Sequence, residues 1–321
     1  MDIDHLTEKE RYDMLAEMAE LYYNQGKTQS EIAQHFETNR FRVAKLLQDA
    51  RTEQIVEIKV NHSNERDTIL ENELKKHFPA LQKAVVVNTR YASYIDSMIQ
   101  LGKAGATYLQ KRLKPETVIG ITWGKTVHSA VNQLVSAVHN PVTAVQLTGY
   151  MKSTNPAVDS RELVRAIASV YNGNYYYLDA PIYIRNQKIL SILYEEPTIE
   201  DTMDQMKKMD VILSGIGSRS SLPLTNPIFK EYLTGEDRLA EKDCIGSLYG
   251  YVLNSSGAPA DIELNQKRIG ASLEDIMKVP HRIVIANGRH KSECISKALE
   301  QNLFNELIID SDTALHLMEN L

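Results

Sequence analysis

Apolar residues between positions 28 and 54 recur at helical spacing in two runs split by a short polar break. Ile32, Ala33 and Phe36 mark one helical face, and Glu37-Thr38-Asn39 interrupts it. Val43, Ala44, Leu46 and Leu47 then mark the inward face of a second helix. Capping signals agree: Thr28 with Glu31 three residues on makes a capping box, and Asn39 suits the N-cap of the second helix. Upstream, Leu15, Met18, Ala19 and Tyr22 lie at helical spacing ahead of Gly26, a fitting C′ stop, so Glu8 to Gln25 reads as a supporting helix. Downstream, Gln54 to Val60 alternates polar and apolar, which predicts a strand that makes the unit winged, with Lys59 placed to touch phosphates. A short helix, a tight turn and a longer helix form the helix-turn-helix pattern, whose second helix meets base edges with its N-terminal end. Residues 1–60 are therefore expected to bind double-stranded DNA through Thr28, Gln29, Asn39, Arg40, Phe41, Arg42 and Lys45.

A different pattern follows. Asn61-His62-Ser63-Asn64 is a polar break, and Asp67 to Phe78 reads as a helix linking the domains and suited to pairing subunits. From residue 84 onward, short β-branched runs alternate with helices, the signature of a parallel sheet covered on both faces. Strands are expected at Ala84–Val87, Val118–Thr122, Val142–Leu147, Tyr175–Leu178, Val211–Gly215, Ile283–Ala286 and Leu307–Ile309. Helices are expected at Tyr94–Leu113, Val127–Val138, Asp159–Tyr171, Lys291–Gln301 and Ser311–Met318. The fold class is thus α/β: a small winged helix-turn-helix over residues 1–60 and a larger parallel-sheet domain over 61–321 for effector binding and oligomerisation.

Composition narrows the setting. The 321 residues, 43% hydrophobic, suffice for two domains of unequal size. The net charge of −6 argues against a protein that coats nucleic acid or a membrane. Residues 1–60 themselves carry 8 Lys/Arg against 12 Asp/Glu, an argument for a mere helical hairpin with a solvated basic face. The positive charge is nonetheless concentrated: Asn39 to Arg51 holds Arg40, Arg42, Lys45 and Arg51 against Asp49 alone. Cys244 and Cys294 are too few for a disulfide framework and lie in no metal-like spacing, so neither metal nor cofactor is expected. The acidic start lacks an apolar h-region and no run is long enough to span a bilayer, so the protein is expected in the cytoplasm.

In a parallel α/β sheet, ligands gather at the carboxyl ends of the strands. Four such loops carry suitable groups. Gly120 to Thr126 ends a strand and opens a helix, offering backbone N–H groups, a helix dipole, a threonine hydroxyl and a lysine to an anion. It lacks the Walker spacing, so nucleotide hydrolysis is not expected. Leu147-Thr148-Gly149-Tyr150 precedes a helix that begins with Asp159-Ser160-Arg161; Gly215-Ile216-Gly217-Ser218-Arg219 is a GxG turn with a cation; Ala286 to Lys291 again opens a helix with cations. Three anion-compatible helix starts on one sheet edge point to a phosphorylated or otherwise anionic small ligand.

Matches in order along the whole chain carry a family resemblance: Ala19-Glu20-Leu21-Tyr22-Tyr23, Thr28 to Ala33, Arg40 to Leu47, Ile121-Thr122-Trp123-Gly124, Val145-Gln146-Leu147, Gly215-Ile216-Gly217-Ser218 and Ile269-Gly270 through Leu273. The sequence resembles SorC-type sugar-binding transcriptional regulators. The resemblance implies an effector domain of the ribose-5-phosphate isomerase/glucosamine-6-phosphate deaminase type that binds sugar phosphates without turnover. It implies that Thr122, Trp123, Gly124, Lys125 and Thr126 hold phosphate, with Arg219 and Lys291 adding cations. Gly149, Tyr150, Arg161, Gly217, Ser247 and Asn254 complete the expected effector site. Three positions depart from the family: Tyr150 where a second glycine is usual, Ser247 where an acid is common, and Asn254 where the FFDxxG aspartate stands. The family position that forms a Schiff base with deoxyribose phosphate is Thr148 here, with Lys152 nearby, so covalent capture is not expected.

The expected function is a DNA-binding regulator of carbohydrate metabolism, a homodimer or homotetramer whose operator binding is modulated by a sugar phosphate. The alternative is a sugar-phosphate isomerase or deaminase fused to a DNA-binding domain. Such chemistry needs a positioned base, and the loops supply cations and amides instead, so no catalytic residue is expected.

Overall fold

The computed structural model describes residues 7–56, 66–135, 140–151 and 155–319. The chain packs as two compact units, Met1–Ser63 and Asn64–Leu321.

The first unit contains α1 (Glu8–Ala19), α2 (Gln29–His35) and α3 (Arg40–Thr52). A π-helical turn, Glu20–Asn24, extends α1 before Gly26 reverses the chain at φ +68°. At α2 the Thr28 hydroxyl accepts from the Glu31 N–H (3.3 Å) while the Glu31 carboxylate accepts from the Thr28 N–H (2.8 Å). Asn39 Oδ1 accepts from the Arg42 N–H (2.9 Å) and starts α3. Leu15, Met18, Ile32, Val43, Leu46, Leu47 and Ala50 form the core. Ala44, expected inward, is exposed; Ala50, one and a half turns later, fills the core in its place. Gln54 to Val56 do not start a strand. Gln54 turns at φ +58°, and the Ile55 and Val56 N–H groups fold back onto the Ala50 carbonyl, so the chain caps α3 instead. The rest of the expected wing, including Lys59, lies outside the described residues.

The second unit begins with α4 (Thr68–His77), β1 (Lys83–Val87), α5 (Tyr94–Gln110), β2 (Val118–Ile121), α6 (Lys125–Val131), β3 (Thr143–Gln146), α7 (Ser160–Tyr171) and β4 (Asn174–Tyr176). It continues with α8 (Gln187–Leu193), α9 (Pro197–Met206), β5 (Val211–Ser214), β6 (Ile216–Ser218), α10 (Gly235–Ala240), β7 (Cys244–Leu248) and β8 (Tyr251–Asn254). The chain ends through α11 (Glu263–Gln266), α12 (Leu273–Lys278), β9 (His281–Ala286), α13 (Ser292–Glu300), β10 (Glu306–Asp310) and α14 (Ser311–Glu319). Seven strands form a parallel sheet in the order β1-β10-β9-β5-β2-β3-β4.

Both faces of this sheet are covered along its inner strands, which is why strands such as β2, β5 and β9 run mostly apolar rather than alternating, whereas the edge strand β4 is largely exposed. Val85 and Val87 enter one core while Ala84 and Val86 enter the other; Ile283 and Ile285 oppose Val284 and Ala286 in the same way. The helix expected over 67–78 is not a linker: Leu74 and Phe78 of α4 are buried in the sheet core, and Glu71 accepts from the Val86 N–H (3.0 Å). The helix expected from 127 to 138 runs from Lys125 to Val131, and residues 136–139 lie outside the described ones.

Besides the helices α8 to α12, a second sheet was absent from the sequence pattern. β6, β7 and β8 form a small antiparallel sheet immediately beyond β5. Its close packing depends on Gly246, where an added Cβ would lie 2.1 Å from the Gly217 carbonyl oxygen and 2.5 Å from Cys294 Sγ.

The chain order fixes where a crevice opens. From β2 the chain steps outward to β3 and β4; from β5 it steps the other way to β9 and β10. β2 and β5 are neighbours, so the switch point lies between them, where helices on opposite faces diverge.

Candidate functional site

A cleft of about 710 Å³ opens at this switch point. The carboxyl ends of β2, β5 and β9 supply Thr122–Thr126, Ser214–Ser218 and Asn287, His290 and Lys291, and the small sheet adds Ser247 and Tyr249. Gly124 starts α6 at φ +134° with open space where a Cβ would stand, a conformation that favours glycine. Lys125 and Lys291 are its cationic groups, with the His290 imidazole beside them, and no carboxylate is among its lining residues. Lys291 is partly buried, and its ammonium has no hydrogen bond or ion pair among the described residues. Burial, then the nearby Lys125, holds its ammonium below the ordinary lysine range, against the opposing pull of Asp310. Burial and Lys291 likewise lower the His290 imidazole. Asp310 itself is committed: it accepts from the Gly288 N–H (3.1 Å) and the Thr313 hydroxyl, which fixes the loop that carries His290 and Lys291.

Of the residues the sequence proposed, Thr122, Trp123, Gly124, Lys125, Thr126, Gly217, Ser247 and Lys291 line this cleft. Thr126 is present with a restriction, since its hydroxyl donates to the Ile285 carbonyl (2.9 Å) and offers a ligand only its lone pairs. Five others do not line it. The Gly149 backbone packs against the Ala180 and Pro181 carbonyls. Tyr150 and Arg161 spend themselves on each other, the guanidinium lying 4.7 Å from the ring centroid with Asp159 alongside. Arg219 turns outward and donates to the Lys242 carbonyl (3.1 Å). Asn254 caps its own turn, accepting from the Ser256 N–H (3.0 Å) and hydroxyl (2.7 Å).

Several lining residues were not foreseen. Tyr94 comes from the start of α5, and Ser220, Ser221, Thr225 and Asn226 come from the segment after β6. The polar stretch 218–226 after the GxG turn was a usable signal; Tyr94, far away in sequence, gave none. Thr148 is fully buried and bridges Gly270, with no lysine at that position, and Lys152 lies outside the described residues. Among the described residues no group of three or more His, Cys, Asp or Glu could hold a metal, and no helix is long and apolar enough to cross a membrane. Cys244 and Cys294 are free and buried, and burial pushes the Cys294 thiol up to about 12.

The first unit presents a second candidate surface. Asn39, Arg40, Phe41 and Lys45 are exposed at the start of α3, and Arg42 is half-buried. The Arg40 guanidinium lies 4.8 Å from the Phe41 ring centroid. Arg11 of α1 binds Glu53 through Nη1 (2.6 Å) and reaches Asp49 through Nη2 (3.5 Å). Asp49 of α3 and its C-cap Glu53 are thereby drawn toward α1. Thr28 and Asn39 are capping groups first, as their hydrogen bonds are made within the unit.

A family model described as "Putative sugar-binding domain" matches residues 62–319. The chain is 25% identical over 316 residues to the deoxyribonucleoside regulator of Bacillus subtilis (strain 168), covering 98% of this chain and 100% of that protein. It is 26% identical over 315 residues to the transcriptional regulator LsrR of Enterobacter sp. (strain 638), covering 96% and 93%. Among solved structures, the full-length sorbitol operon regulator SorC of Klebsiella pneumoniae superposes with a TM-score of 0.77 at 24% identity, covering 95% of this chain and 98% of that one. A DeoR family transcriptional regulator from Listeria monocytogenes gives 0.69 at 26% identity, covering 78% and 98%.

Proposed function

The chain belongs to the sugar-binding domain family of SorC-type regulators, and on that premise we propose that it is a DNA-binding transcriptional regulator of carbohydrate metabolism whose operator affinity is set by a phosphorylated sugar in the cleft. The observation that carries the effector half is the charge of the cleft: Lys125 and Lys291 line it beside His290, the Lys291 ammonium has no hydrogen bond or ion pair among the described residues, and no carboxylate is among the lining residues, the nearby Asp310 being held by Gly288 and Thr313. A phosphate dianion satisfies these groups, and a neutral polyol leaves a partly buried ammonium unpaired. Hydroxyl and amide side chains on the β6 side suit sugar hydroxyls. The enzyme alternative is not favoured. Each relative named above is a regulator, and the cleft lacks a carboxylate base.

The operator half rests on α3, whose exposed start carries the cations. One such helix is a small footprint, so the protein acts as a dimer or tetramer on a pseudo-palindromic site, with half-sites about 34–36 Å apart or a multiple of it. The N-terminal unit is its DNA-binding domain, the larger unit its effector and oligomerisation domain, and the cytoplasm its location. A thermal-shift panel of sugars and sugar phosphates, followed by calorimetry, tests the effector reading. A phosphorylated sugar is expected to bind at least about tenfold tighter than its free sugar, a gap within the worth of one charge-assisted hydrogen bond. Equal affinities would leave the cleft a polyol site and overturn the reading.

A further inference from the structure

The buried face of α3 is Val43, Leu46, Leu47 and Ala50. Helical geometry then places Phe41, Ala44, Lys45 and Gln48 on one outward stripe, and all four are exposed. Phe41, at 73% exposure, is the unexpected member: a large apolar side chain on a polar helix, outside the unit's core. Arg40 stacks against its ring and holds it in place. One turn on, the Ala44 methyl continues the apolar surface. One turn further, the Gln48 side-chain amide makes no hydrogen bond among the described residues. No carboxylate lies on the stripe, because Asp49 and Glu53 face Arg11.

Resting on the DNA-binding reading above, we infer that this stripe selects A·T pairs: Phe41 and Ala44 pack on thymine 5-methyl groups, and Gln48 pairs in bidentate fashion with an adenine. The chemistry follows from the groove edges. Thymine is the base with a methyl group in the major groove, and adenine presents there the N7 acceptor and N6 donor that match a carboxamide. Cytosine, read by a carboxylate acceptor, finds none on the stripe. Lys45, beside Ala44, is the group left to meet a guanine or a phosphate. From Phe41 to Gln48 the helix rises about 10 Å, the span of roughly three base pairs. The half-site therefore has a short A·T-rich centre.

The test starts with the full-length protein and a pool of random duplexes, from which bound sequences are selected. The enriched half-site is expected to contain adjacent A·T pairs. In that duplex, deoxyuridine in place of thymidine removes only the methyl group and is expected to weaken binding about fourfold per contacted position. The penalty is expected to vanish in Phe41→Ala or Ala44→Ser, whichever covers that position. Replacing the contacted adenine by 7-deazaadenine is expected to cost the parent about fivefold or more, and Gln48→Ala much less. Gln48→Ala retains helix propensity and keeps the fold, checked by circular dichroism. A G·C-only half-site, or the same uracil and deaza penalties in parent and variants, overturns the inference while leaving DNA binding intact. Enrichment of no duplex overturns the DNA-binding reading and this inference with it.

Discussion

The helical N-terminal unit and the cleft of the larger unit both present cations, and they do so by opposite means. On α3 the cations stand in water on a single helix, and their carboxylate neighbours are pulled aside by Arg11. In the cleft the ammonium of Lys291 is held partly buried with no hydrogen bond or ion pair among the described residues, on a loop braced by Asp310. Exposed charge is cheap to maintain, is screened by salt and acts on a polyanion through numbers. Partly buried charge is costly, in line with the lowered Lys291 ammonium, and the right dianion relieves that cost. The first arrangement suits a long nucleic acid, the second a small anion.

The largest effect is expected at the buried end of this contrast. Lys291→Ala is expected to weaken sugar-phosphate binding by about 1.5–3 kcal/mol in calorimetry. Duplex binding in the absence of ligand is expected to stay unchanged. Retention of full ligand affinity would remove the buried cation from the account. Arg40→Ala, on the exposed side, is expected to cost about 1–3 kcal/mol of duplex affinity if its guanidinium reaches a guanine, and less if it only steadies Phe41. Fluorescence anisotropy with the selected duplex separates these, and no loss at all would break the docking of α3.

Thr126→Val sharpens the comparison from the side of folding. Its hydroxyl holds a buried carbonyl, so the variant is expected to lose about 1–3 kcal/mol of stability in denaturant titration and to keep most of its ligand affinity. An unchanged midpoint with sharply weaker ligand binding would place the hydroxyl on the ligand. Smallest is Arg11→Ala, which frees Asp49 and Glu53 near the DNA face. A loss of about two- to threefold in duplex affinity is expected at low salt, fading as salt rises. An unchanged affinity at low salt would mean that these carboxylates never approach the duplex.

Legibility followed the range of the interactions. Caps such as Thr28–Glu31 and Asn39 join residues three apart, so the helices of the first unit could be read from local spacing. Ala44 misled because a methyl group fits either face and only its neighbours Val43 and Leu47 set the phase. The seven parallel strands were legible because burial on both faces leaves runs such as Ala84 to Val87 without polar interruption. β6 to β8 are short, contain Gly217, Gly246 and Ser247, and are stabilised by contacts with α13, so no period betrayed them. Within the cleft, the loops after β2 and β9 were found because a glycine and a lysine mark each helix start. Arg219, Asn254 and the Tyr150–Arg161 pair were misplaced because a sequence gives the loop and not the direction in which a side chain leaves it.

The central claim is coupling between the two sites, and it is tested by measuring operator affinity with and without effector. The selected duplex is titrated with full-length protein alone, then with a saturating sugar phosphate taken from the thermal-shift panel, then with the same sugar lacking phosphate. The account predicts that the phosphorylated sugar changes duplex affinity by about fivefold or more, in either direction, while the free sugar leaves it unchanged. A duplex affinity that stays the same with the cleft filled by sugar phosphate would contradict it.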